Sequence, residues 1–310
     1  MDALAVAIRF GLYLDLMALF GLPLFGLYGL RGAERVPKGL RALRLLYAGA
    51  AVAGLLLSGL AILVLTASMS GVPIAQVDSS SVSMLVFETS IGLAWRVRLV
   101  ALSLFIAVAL AVKPASRAYG PALSVLSAVA LATLSWNGHG AMTEGTAGDV
   151  HLISDIAHLL AAGVWLGALV SLSYLLFRPR RTMTSEHIEV SHRALASFAF
   201  VGTAVVTALV LTGLINSWFL IGSQGVAAIF ESLYGQLLVA KLLLFLLMLG
   251  LAALNRYRMT PALEAAIAQG EHNKAVTALH MSLAVEASSA VAILAIVAWL
   301  GTLAPPLSAT

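Results

Sequence analysis

The chain has 310 residues, of which 61% are hydrophobic and 10% charged, whereas a soluble domain is about 45–50% apolar and about 25% charged. So little polar surface cannot solvate a globule: the composition places the chain in a bilayer, leaves no room for a sizeable soluble domain and excludes a soluble enzyme. With no cysteine, thiolate metal ligands, iron–sulfur clusters and thiol catalysis are also excluded, and the net charge of +4 forms no patch suited to nucleic acid.

In chain order, apolar runs of spanning length occupy residues 4–30, 44–68, 96–113, 119–136, 151–177, 195–221, 236–256 and 277–303. The expected fold is therefore all-α, a polytopic integral membrane bundle of about eight transmembrane helices. The first run is too long for a signal peptide and lacks a basic start, so it is expected to remain as an anchor. Basic residues alternate with the loops. Arg31, Arg35, Lys38, Arg41 and Arg44 follow the first run, Lys113 and Arg117 the third, Arg178, Arg180, Arg181 and Arg193 the fifth, and Arg256, Arg258 and Lys274 the seventh, fourteen of the 18 basic residues. The positive-inside rule then puts both termini outside. The longest polar stretch, residues 69–94, is too short for a domain of its own. One membrane domain, 1–310, is expected, with four helices in 1–150 and four in 151–310. Gly163 and Gly167 in the fifth run form a small-xxx-small pair suited to close helix packing.

Ionisable groups inside a spanning helix are expensive and face the bundle interior. Here they are Arg9, Asp15, Arg96, Arg98, Asp155, His158, Lys241, His280 and Glu286. At 3.6 residues per turn, His151, Asp155 and His158 fall at about 0°, 40° and 340°, a single stripe on the fifth run, and Trp165 at about 320° can floor it. Just before this stripe stand His139, Met142, Glu144 and Asp149. Imidazole and thioether donors without thiolate suit copper, with carboxylate available to orient an imidazole. The competing reading is an interfacial hydrogen-bonded pair, His151 with Asp155, and a solvated His139. The remaining histidines, His187, His192, His272 and His280, fall on the inner side. His192 and His280, nearest the helix ends, are candidates for an inner exit site, while His187 and His272 sit in charged loops. Asp15 and Glu286 are expected either to pair with Arg9 or Lys241 or to line an ion path.

The run Asp155-Ile-Ala-His158-Leu-Leu-Ala161-Ala-Gly-Val-Trp165-Leu-Gly167-Ala-Leu169 resembles the DxxHxxAxxxWxGxL signature of the copper resistance protein D (CopD/PcoD) family. A second block, Thr212-Gly213, Asn216, Trp218, Tyr234-Gly235, Leu238, Lys241, Asn255-Arg256 and Pro261, resembles the same family's C-terminal core. The resemblance implies a bacterial inner-membrane protein of copper handling, not an enzyme, that moves copper inward or exchanges it with a periplasmic copper protein of the CopC type. By position it carries over Asp155, His158, Trp165, Asn216, Trp218 and Lys241; His139, Met142 and His151 rest on the donor argument alone. Lys241, about one and a half turns into its helix, is placed to hold Asp155 ionised. A second function class remains open, a haem b redox protein with axial histidines drawn from His139, His151 and His158. Pigment would separate the two.

Overall fold

In lipid every backbone N–H and C=O must be paired within its own segment, so long apolar runs can only be helices. The computed structural model, which describes residues 2–35, 40–137, 145–176, 185–221, 230–268 and 273–303, has no strand among them. Its helices are α1 (Asp2–Gly29), α2 (Leu40–Ser70), α3 (Ser79–Glu88), α4 (Ser90–Ala111), α5 (Tyr119–Ala132), α6 (Gly145–Leu176), α7 (Ser185–Ile221), α8 (Leu233–Leu254), α9 (Thr260–Ala268) and α10 (Asn273–Leu300). A 3-10 turn, Thr133–Asn137, prolongs α5, and a π-helical turn, Asn255–Met259, joins α8 to α9. Eight helices among the described residues are long and apolar enough to cross a membrane, with α8 running through the π turn as one of them.

Several helices start earlier than the sequence expectation, α6 at Gly145 and α7 at Ser185 among them, and two differences have an identifiable local cause. The polar stretch before the third crossing holds α3, because Asp78 caps it by accepting bonds from Ser81 N at 3.0 Å and Ser80 Oγ at 2.8 Å. These bonds hold its carboxyl below the ordinary carboxylate range. Thr89 Oγ1 accepts from Gly92 N at 3.0 Å, so α4 begins at Ser90. The seventh crossing does not end at Arg256. It absorbs an extra residue in the π turn and continues to Ala268.

The charged ends meet at one end of the bundle. Arg44 at the start of α2 donates Nε to the Ala109 carbonyl of α4 at 2.8 Å, Arg193 at the start of α7 pairs with Glu34 after α1, and Arg256 donates to the Ala199 carbonyl of α7 at 2.9 Å. We refer to this as the basic end. At the opposite end, Arg9 donates to the Gly301 carbonyl and ties the start of α1 to the end of α10.

α1 is the central packing element. Leu12, Leu16, Leu19 and Phe20 are buried with Leu102 and Phe105 of α4, Leu123 and Leu131 of α5, and Leu159 and Leu166 of α6. Gly21 of α1 meets the Gly163–Gly167 pair of α6, where a Cβ on Gly21 would lie 2.6 Å from Gly167 Cα. Only glycine permits that approach. A second core joins Trp165, Leu169 and Leu172 of α6 to Leu195 and Leu209 of α7, Met248 of α8 and Leu279 and Leu283 of α10. Leu56, Leu104, Leu214, Leu243 and Leu246 are exposed, as a lipid-facing rim requires.

Candidate functional site

His151, Asp155 and His158 all lie on α6, and the structure turns all three toward α7 in an antiparallel ladder. The His151 ring is buried, 3% exposed, and stacks on Phe219 with centroids 4.7 Å apart and planes 9° from parallel. One turn on, Asn216 Nδ2 donates to Asp155 Oδ1 at 3.2 Å. Next, His158 Nδ1 lies 2.9 Å from Thr212 Oγ1, and Ser154 Oγ donates to the Thr212 carbonyl at 3.2 Å. Phe219, Asn216 and Thr212 are spaced three and four residues apart, so they form the matching face of α7.

The hydroxyl of Thr212 also lies 2.5 Å from the Ala208 carbonyl. With its hydrogen donated there, Oγ1 accepts from the imidazole, and a neutral His158 that donates from Nδ1 keeps its lone pair on Nε2. Lys241 of α8 acts electrostatically on both Asp155 and His158, and Ser135 from the turn after α5 and Tyr234 of α8 are further polar neighbours of Asp155. An ammonium and a carboxylate that share a low-dielectric interior partly offset each other's burial.

Trp165 lies two turns further along α6 and is 3% exposed. Its indole Nε1 donates to Glu286 Oε1 of α10 at 2.7 Å, and Asn255 Nδ2 donates to Glu286 Oε2 at 3.1 Å. Glu286 thus takes neutral donors, in place of the ion pair that was one of its two expected roles. Asp15 Oδ2 has no hydrogen-bond partner among the described residues and lies against Gly54 of α2.

Other expected residues are placed differently. Trp218 is 68% exposed and faces outward from the ladder, as an interfacial ring does. His192 Nε2 is 3.9 Å from Glu264 Oε2 of α9, beside a small cavity shared with Glu189 and Arg193. None of the hydrogen bonds or ion pairs described for His192 reaches the half-buried His280 on α10. His139 and Met142 lie outside the described residues, and among the described residues no three His, Asp or Glu side chains form a group that could hold a metal ion.

Thr212, Arg98 and Asn255 stand in the sequence motifs and among the intramembrane charges, but no contact was expected of them. Arg98 is 1% exposed, its Nε donating to Thr133 Oγ1 at 2.8 Å and Nη2 to the Thr133 carbonyl at 3.3 Å. The available signal for Thr212 was its i,i+4 spacing from Asn216 in an apolar helix; for Arg98 it was charge inside a crossing.

Comparison with known proteins shows the family. Residues 1–149 match the family model "Copper resistance protein D-like, N-terminal domain" and residues 192–300 match "Copper resistance protein D". The run Asp155 to Leu169 lies between these two ranges. The chain is 43% identical to Copper resistance protein D of Pseudomonas syringae pv. tomato, with 99% of each chain covered. It is 27% identical to Inner membrane protein YebZ of Escherichia coli strain K12, over 97% of this chain and 98% of the relative. It is also 30% identical to Copper transport protein CutJ of Bacillus subtilis strain 168, over 54% of this chain and 31% of the relative. No solved structure matches the chain.

Proposed function

The chain belongs to the copper resistance protein D family, and on that premise we propose that it takes up copper at the α6–α7 ladder, on the side of the membrane opposite the basic end. The observation that carries this reading is the pair of contacts from α7 that orient His158 and Asp155. Thr212 Oγ1 engages His158 Nδ1 and Asn216 holds one oxygen of Asp155, which is how a protein orients imidazole and carboxylate toward a metal. Copper is the cargo, bound through Nε2 of His158 and the carboxylate of Asp155, with His151 one and a half turns above on the same face. His139 and Met142, from the short connection before α6, complete the donor set.

Lys241 supplies the release step in this reading. Its positive charge acts on Asp155 and opposes a second cation there, so the ammonium weakens binding to a level compatible with onward transfer. The haem reading is less well supported, because His151 and His158 both turn against one helix, α7, and two rings on one face do not clasp an iron between them. The family's copper resistance and transport proteins give no ground for a catalysed reaction. We place the protein in a bacterial inner membrane, with the basic end in the cytoplasm, copper moving inward from a soluble CopC-type donor, and His192 and His280 as inner ligands.

The test is copper content and absorption of the purified protein. We expect bound copper in the native chain, no Soret band, and at least a tenfold loss of affinity in His158→Ala with membrane insertion intact. Full copper binding in that variant, or a Soret band, overturns the reading.

A further inference from the structure

The half of the bundle between Trp165 and the basic end contains a cavity of about 270 Å3, walled by α6, α7, α8 and α10. Its walls are mostly apolar, Leu169, Val206, Leu249 and Leu283 among them, and Trp165, Asn255 and Glu286 form a polar patch in them. Glu286 is 2% exposed and its two hydrogen-bond donors, an indole and an amide, are neutral. Asn255 Oδ1, on a side chain 6% exposed, has no partner among the described residues.

The π turn contributes to this polar patch. It sends Asn255 inward to Glu286, while the next residue, Arg256, reaches α7 and donates to the Ala199 carbonyl and the Thr203 hydroxyl. Besides Glu286, the charged or titratable groups lining the cavity from any of its helices are Arg256 and Tyr257. A carboxylate this deep in a membrane, with no fixed cation bonded to it, holds a mobile one. The donors here are oxygens alone, without the imidazole or thioether that copper prefers, and the cation that fits between them is a proton.

We propose that this cavity is a water-filled vestibule entered from the basic end, and that Glu286 in its wall is a proton-exchange site. Trp165, edge-on to Phe245 with centroids 6.2 Å apart, separates it from the ladder. The seven residues from His158 to Trp165 span about 10 Å along the helix. The bundle thus has a second ion site on the opposite half from the ladder, and it does not depend on copper binding there.

The test uses the full chain in oriented vesicles. Because the native sequence has no cysteine, Ala252→Cys and Val206→Cys each place one thiol in the cavity wall. A charged, membrane-impermeant methanethiosulfonate should modify both from the basic end and neither from the other side. Dicyclohexylcarbodiimide, which adds across a carboxyl O–H to leave an N-acylurea with no leaving group, should label Glu286 by mass spectrometry. Labelling should fall as the pH at the basic end rises and vanish in Glu286→Gln. Cysteines that react with an apolar maleimide but not with the charged reagent identify a lipid-filled groove and overturn the vestibule. Labelling of Glu286 that ignores pH overturns the proton site. Copper binding measured on the same variants reports an intact bundle and keeps the two proposals separable.

Discussion

Replacing Thr212 by valine isolates the contribution of one hydroxyl to the ladder. Valine keeps the shape and the β-branch, and the main-chain carbonyl that accepts from Ser154 survives. What is lost is the oxygen 2.9 Å from His158 Nδ1. A buried N–H left without its acceptor costs about 1–3 kcal/mol, and the imidazole can avoid that cost by moving its proton to Nε2, the atom needed for copper. Loss of such an outer partner lowers metal affinity about 10- to 100-fold, equivalent to about 1.4–2.7 kcal/mol. Thr212→Ser retains the hydroxyl and should stay within about threefold of the native protein. The assay is competition for Cu(I) with a chromogenic chelator in detergent under reducing conditions, paired with a thermal unfolding curve for each variant. A folded Thr212→Val protein with native copper affinity would refute the tautomer argument, as would a Thr212→Ser protein as weak as the valine variant.

The α1–α6 contact makes a sharp stability prediction: Gly167→Ala pushes a methyl into the backbone of Gly21 and should cost about 3 kcal/mol, the upper end for overpacking. Gly59→Ala on α2, with nothing within 4 Å of the new methyl, should be neutral or gain up to about 1 kcal/mol; equal unfolding midpoints for the two would remove the packing argument. Topology is checked by single cysteines at Ser80 and Ser116, which should react with impermeant reagents from opposite sides, Ser80 from outside. Reaction of both from one side would reverse part of the crossing order.

How much of this was legible beforehand follows from the range of each interaction. The eight crossings were visible because spanning length and hydropathy are local properties, and the shared stripe of His151, Asp155 and His158 was visible because helical period sets azimuth. α3 was missed because its stop and start depend on two caps, Asp78 and Thr89, inside a stretch judged only by polarity. For Asp15 and Glu286 the sequence left an ion pair and an ion path equally open; the choice of an indole and an amide as donors to Glu286 comes from α6 and the π turn.

By itself, then, the sequence determined the bilayer as solvent, the number of helices, the basic loops and which face of α6 is polar. Tertiary structure decided what that face meets. The glycines of α1 and α6 let two backbones touch, and this close approach sets how α6 sits against its other neighbours. From that packing come the ladder on α7, the approach of Lys241 from α8 and the seating of Trp165 on Glu286. Contacts between residues 54 to 121 positions apart depend on how helices pack, and no period along a single helix encodes them.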